Sequence, residues 1–137
     1  MTEEEFQNMT EEDFQGMLLT PLLLQKGVTD EEMEAIYAIG YDYYRAGAYE
    51  KAETVFKGLC VLDAMNEKYH MALGGAYQAQ RKWQKAIDQY SLVVAAINIG
   101  NTTASARAAE CYTALGDAEK ATSARTHKAF FQKEVAK

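Results

Sequence analysis

Three stretches of the chain repeat one another, and this constrains the fold more than any other feature. Tyr43, Tyr77 and Tyr112 fall 34 and 35 residues apart, and so do Ala52, Ala86 and Ala121. A small residue stands three before each Tyr: Gly40, Gly74 and Ala109. An aromatic stands four after the Ala in two copies, as Phe56 and Tyr90, and Arg125 takes its place in the third. A period of this length marks a unit that cannot bury its apolar face alone and must stack on its neighbours. The copies run over 33–66, 67–100 and 102–135. In each, the small residue lets a second helix approach, the Ala is its small partner, and the aromatics fill the space between layers. The one inserted residue is expected in a loop at Gly100-Asn101.

Small-x-x-Tyr followed by Ala-x-x-x-aromatic at this spacing is the tetratricopeptide (TPR) pattern. The predicted fold is all-α: a TPR superhelix of three helix-turn-helix repeats with an N-terminal helical arm and a C-terminal capping helix. The arm is placed at 1–28 and the repeat domain at 29–137. Met33, Ile36, Tyr37, Gly40, Tyr43 and Tyr44 follow helical spacing. Thr29 with Glu32 forms a capping box opening the first repeat. Asp13 to Lys26 reads as a separate amphipathic helix, kinked or split at Pro21 and ended by Gly27. Asp117 to Lys137 is expected to continue as helix. The small-sided, ring-poor third repeat reads as the end of the array, where one face meets water.

Composition narrows the function. The chain has 137 residues, 48% of them hydrophobic, with a net charge of −6 and one Pro. That excludes a mainly disordered chain and Pro-rich tracts, and argues against nucleic acid as partner. Residues 1–34 carry ten acids and one base, Lys26, so the acidity is concentrated there. The start MTEEEFQNMTEEDF lacks the basic, apolar character of a signal peptide. Met17–Leu24 and Leu92–Ile97 are too short to span a bilayer. Cys60 and Cys111 form no metal-binding pattern and read as reduced thiols, with Cys60 and Phe56 in the core.

Nothing suggests an enzyme. His70 and His127 lie 57 residues apart outside any ligand spacing, and His70 reads as a packing residue. No phosphate-binding glycine loop is present, and Gly74-Gly75 falls mid-helix. The acidic cluster Glu3–Glu5 lacks the calcium-loop pattern. No cofactor and no metal are expected.

A TPR array instead offers a concave face lined by the first helix of each repeat. Register places Tyr37, Tyr41 and Tyr44 there from the first repeat. Lys68, Met71, Gly75, Gln78 and Ala79 come from the second, and Ala106 and Glu110 from the third. Tyrosines beside Met and small residues suit an extended peptide with apolar side chains, because Tyr offers a broad apolar face at low entropic cost. Gln78 is expected to add a polar contact to the peptide backbone.

The stretch MEAIYAIGYDYYRAGAYEKAETVFKGLCVLDAMNEKYHMALGGAYQAQRKWQKAIDQY resembles the class II chaperones of bacterial type III secretion, which serve the pore-forming translocators. Residues 52–78, with Phe56, Leu59, Cys60, Leu62 and Asp63, and the string AAECYTALGD at 108–117 carry the resemblance. FxxLCxLD is not demanded by TPR packing. The resemblance implies a cytoplasmic bacterial chaperone that uses no ATP and does not itself enter a membrane. Its partners would be secreted hydrophobic translocators, kept soluble and apart before export. A short Pro-x-Leu-x-x-Pro-like segment of the translocator would lie against Tyr37, Tyr41 and Tyr44. A homodimer contact through the N-terminal region would involve Phe14, Leu18, Leu19 and Leu22. The chain ends soon after the third repeat, with little of the tail seen in many relatives. A generic TPR scaffold for another protein is the alternative.

Overall fold

The structure, a computed structural model, describes residues 27–126 together with Glu4, Asn8, Thr10, Phe130 and Phe131. The predicted arm helix at 13–26, its kink at Pro21 and the candidate dimer residues Phe14, Leu18, Leu19 and Leu22 lie outside the described residues. The chain forms two compact units, Met1–Ala64 and Met65–Lys137. The described residues are all-helical, in three TPR-type hairpins.

The first unit holds one hairpin, α1 (Asp30–Arg45) and α2 (Tyr49–Leu62). The capping box forms as its sequence predicts. Thr29 Oγ1 accepts from the Glu32 amide at 3.1 Å, and Glu32 Oε1 accepts from the Thr29 amide at 3.3 Å. Those hydrogen bonds, backbone first and hydroxyl second, hold the Glu32 carboxyl below its ordinary pKa. The small residue of the repeat has a specific reason. A Cβ on Gly40 would sit 2.6 Å from Phe56 Cε1, inside contact distance. The repeated aromatic therefore presses on the repeated glycine inside the hairpin, where the sequence pattern suggested a filler between layers. Ala52, Val55, Phe56 and Leu59 are buried on α2, as are Met33, Ile36 and Ile39 on α1.

The second unit holds two hairpins. They are α3 (Glu67–Ala79) with α4 (Trp83–Leu92), and α5 (Thr102–Ala114) with α6 (Ala118–Thr126). Asn66 and Asn101 cap α3 and α5 through their side-chain oxygens. Gly74 repeats the logic of Gly40: an added Cβ would lie 2.5 Å from Tyr90 Cε1. The third hairpin breaks it. Ala109 replaces the glycine, and its counterpart Arg125 is exposed, so no ring presses there. Phe131 is buried instead, and Phe130 meets the Tyr112 ring edge-on at 5.7 Å. Beyond α6 only Phe130 and Phe131 of the expected terminal helix are described.

The inserted residue does not lie in the expected loop. Four residues, 63–66 and 98–101, separate the second helix of a hairpin from the next first helix in both places. The extra residue sits in the helix, where α4 runs into a π-helical turn, Val93–Ile97, and the Asn98 amide donates to the Val93 carbonyl at 2.7 Å. A π-turn spends one more residue per turn than an α-turn and so absorbs an insertion without lengthening the loop. The loop is then tied down by Glu67. Its Oε1 accepts from Asn98 Nδ2 at 2.9 Å and from Asn101 Nδ2 at 2.6 Å.

Candidate functional site

Residues four and three apart on a helix share a face, so Tyr37, Tyr41 and Tyr44 of α1 stand in one row. The structure brings all three together. Ring centroids are 5.9 Å apart for Tyr37–Tyr41 and 6.2 Å for Tyr41–Tyr44, both tilted. Each end of the row is anchored on α2. Tyr37 lies 5.9 Å from the buried Phe56 ring, and Tyr44 lies 5.4 Å from Tyr49 in an edge contact. Five rings thus run in a continuous ladder. Its middle rung is the one open to solvent: Tyr41 is 42% exposed, while Tyr37 and Tyr44 are half-buried.

The Arg45 guanidinium carbon lies 5.2 Å from the Tyr41 ring centre, and Arg45 is held by Asp42 Oδ1 at 2.6 Å. A cation is attracted to the face of an aromatic ring, which favours this placement of the two side chains. Phe56 and Tyr49 belong to the site as supports. The repeat register identified Phe56 only as a packing residue, and Tyr49, the first residue of α2, shares its register position with Trp83 in the second copy and Ala118 in the third.

In the second unit, Gln78 and Glu110 meet across 32 residues of sequence. Gln78 Nε2 donates to Glu110 Oε2 at 2.9 Å, and Gln78 Oε1 accepts from the Tyr90 hydroxyl at 2.8 Å. Gln78 is therefore a fixed polar platform, with its amide oriented by the same ring that packs on Gly74. Lys68, Ala106 and Glu110 are exposed, Met71 and Ala79 are half-buried, and Gly75 is buried. His70 is buried with Nδ1 2.7 Å from Gln89 Oε1, which makes it a packing residue.

Ala106 lines a cavity of about 240 Å³ together with Ile99, Ala124, Arg125 and Phe131. By repeat register Ala106 corresponds to Tyr37 and Arg125 to Phe56. The first hairpin stacks two rings at these positions, and the third leaves a space large enough for a ring-sized side chain.

The thiols are chemically quiet. Burial, and next the Asp63 charge, pushes the Cys60 thiol up to about 12; burial, and next Glu110, pushes Cys111 up to about 11. Both are free. Cys111 is fully buried, while Cys60 is half-buried, not a core residue as its repeat position predicted. A thiol that stays protonated at neutral pH is a poor nucleophile. Among the described residues no cluster of His, Cys, Asp or Glu could hold a metal, and no helix is long and apolar enough to cross a membrane.

The chain is similar to the chaperone protein SicA of Salmonella typhimurium, with 36% identity over 66 residues, which are 48% of this chain and 40% of SicA. It is 32% identical over 96 residues to the low calcium response locus protein H of Yersinia pestis, covering 70% of this chain and 56% of that protein. The chain thus spans about half the length of the curated relatives it matches. No family model matches it. Among solved structures, the Yersinia enterocolitica type III secretion chaperone SycD in complex with a peptide of the translocator YopD is 30% identical. That match covers 78% of each chain at a TM-score of 0.67. PcrH of Pseudomonas aeruginosa, in complex with the chaperone binding region of PopB, is 29% identical, with 80% of this chain and 85% of that chain covered and a TM-score of 0.68. Fold, repeat register and these likenesses agree: the chain belongs to the translocator chaperones of type III secretion.

Proposed function

We propose that the chain is a cytoplasmic, non-enzymatic chaperone that binds an extended apolar segment of a secreted, hydrophobic translocator and keeps it soluble before export. The observation that carries this is the tyrosine row, with an exposed ring at its centre and half-buried rings on either side, one of them set on the buried Phe56. Half-exposed rings backed by packed ones give a rigid apolar surface with little side-chain entropy left to lose, which is the usual make-up of a binding hot spot. The partners of the solved relatives, a YopD peptide and the chaperone binding region of PopB, support an extended translocator segment as the ligand. Tyr37, Tyr41 and Tyr44 would hold its apolar side chains. The other face residues, Lys68, Met71, Gly75, Gln78, Ala79, Ala106 and Glu110, belong to the same proposal. Gln78, braced by Tyr90 and Glu110, would offer its remaining amide hydrogen to a peptide carbonyl.

The test is titration of the purified chain with the translocator encoded beside it, followed by Tyr41→Ala. The variant is expected to lose about 1–3 kcal/mol of binding, the range of an aromatic hot spot, with helicity unchanged. No complex at micromolar protein would reject the chaperone reading. Unchanged affinity in a folded variant would move Tyr41 to a structural role.

A further inference from the structure

Two positions that carry rings in the first hairpin carry none in the third. By repeat register Tyr37 corresponds to Ala106 and Tyr41 to Glu110. Ala106 and Glu110 stand one helical turn apart on α5, so they share a face, and both are exposed. Beside Ala106 opens the cavity of about 240 Å³, walled in part by Ala124 and Phe131. An apolar cavity of about 150 Å³ already holds benzene, so this one takes a phenyl or a branched aliphatic side chain.

Glu110 is held in place before any ligand arrives. Its carboxylate only accepts, so the Gln78 side chain turns Nε2 toward it and Oε1 toward the Tyr90 hydroxyl. Tyr90 is fully buried and presses on Gly74, so this chain of hydrogen bonds is rooted in the core. Gln78 takes Glu110 Oε2, which leaves Oε1 for a further donor. Among the described residues no cation lies within ion-pair distance of Glu110. A segment laid over this face takes the carboxylate out of water, and a buried carboxylate without a partner is costly. The segment that binds must therefore bring a cation.

We propose that the third hairpin reads two side chains of the bound segment, placed two residues apart: an apolar one in the cavity and a Lys or Arg on Glu110. This rests on the reading of the chain as a chaperone for an extended translocator segment, and it names side chains that the segment carries. The spacings agree. Alternate side chains of an extended chain share a face and stand about 6–7 Å apart. Residues one helical turn apart stand about 5–6 Å apart. Arg125 on the cavity wall repels a base there, which decides which side chain goes where.

Overlapping peptides tiled along the translocator encoded beside the chain test this, with affinities for the full chain measured by calorimetry. The peptide that binds is expected to hold an apolar residue and a base two apart. Exchanging that base for norleucine weakens binding about tenfold in the parent and leaves it unchanged in Glu110→Gln. Glu110→Lys loses the original peptide and binds the one whose base is exchanged for Glu. Ala106→Phe puts a ring over the cavity, weakens binding about tenfold and removes the effect of trimming the apolar residue to Ala. Circular dichroism checks that the variants fold, and each is also measured against the intact translocator. If Tyr41→Ala weakens binding while Glu110→Gln and Ala106→Phe bind as the parent does, the two-point site is overturned and the chaperone reading stands. If the parent chain binds neither the translocator nor any of its peptides, that reading fails and the site fails with it.

Discussion

The first and third hairpins are built on the same register and pack by different means. In the first, Phe56 presses on Gly40 and carries Tyr37 on its other side. In the third, Ala109, Arg125 and Ala106 occupy those three positions, no ring is present, and a cavity opens beside Ala106. Ring and glycine change together because they form one contact. A ring in the second helix needs the missing Cβ in the first, and without the ring an Ala fits. The repeat is thus a set of paired contacts, and a copy loses them as pairs. The first hairpin spends its ring on supporting a row of tyrosines, while the third buries Phe131 from beyond α6.

The largest expected effect breaks that comparison at its centre. Phe56 is buried, so Phe56→Ala removes a core ring and the support under Tyr37. It should cost about 3–5 kcal/mol of stability in denaturant melts. Arg125→Ala, at the same register position but exposed, should stay within about 0.5 kcal/mol. Equal costs would mean that the two positions do the same work, contrary to the paired-contact reading. Next comes the other member of the pair. Gly74→Ala drives a methyl to 2.5 Å from the Tyr90 ring and should cost about 1–3 kcal/mol through overpacking, against the helix-propensity gain of the same change. The double variant Gly74→Ala, Tyr90→Leu should recover part of the loss, and a failure to recover would separate the glycine from the ring.

Much of this was legible in the sequence. The small, Tyr, Ala and aromatic positions recur at a fixed period, so helix pairing, the capping box and the tyrosine row could be read off together. What could not be read was set by contacts across elements. An inserted residue looks the same whether it lengthens a loop or winds a π-turn, and Glu67, which fixes the loop, lies 31 residues from Asn98. Cys60 falls at an apolar position yet sits at a partly open helix end. Phe131 shares its register position with Leu62 and Ala96, so its ring belongs to no repeated pattern. Gln78 and Glu110 could be placed on one face by register, but their hydrogen bond could not.

The starts of the hairpins sharpen the comparison at lower energy. The first helix of every hairpin has a side-chain cap, through Thr29, Asn66 and Asn101. The second helices α2 and α4 have none. Thr29→Ala should cost about 1 kcal/mol. It should also flatten the acid limb of the stability curve. Glu32 has a folded pKa below its unfolded value, so its contribution is present above the unfolded value and lost as pH falls through the folded one. Without the Thr29 hydroxyl that shift shrinks. An acid limb as steep as the parent's would assign the pH dependence to other carboxylates.

The smallest effect concerns a feature shared by all three hairpins. The Lys before each repeat Ala lies over the repeat Tyr. Lys51 is 5.7 Å from the Tyr43 ring centre, Lys85 5.8 Å from Tyr77 and Lys120 5.9 Å from Tyr112. These distances vary far less than the interior packing does between the first and third hairpins. The turn holds its cation over the ring whether or not a second ring lies in the core, so the two devices are independent. Lys51→Gln and Lys120→Gln should then each lower stability by the same amount, about 0.5–1 kcal/mol for an exposed cation–π contact. If Lys120→Gln costs clearly more, the third hairpin relies on its turn to offset the missing ring, and the independence of turn and core fails.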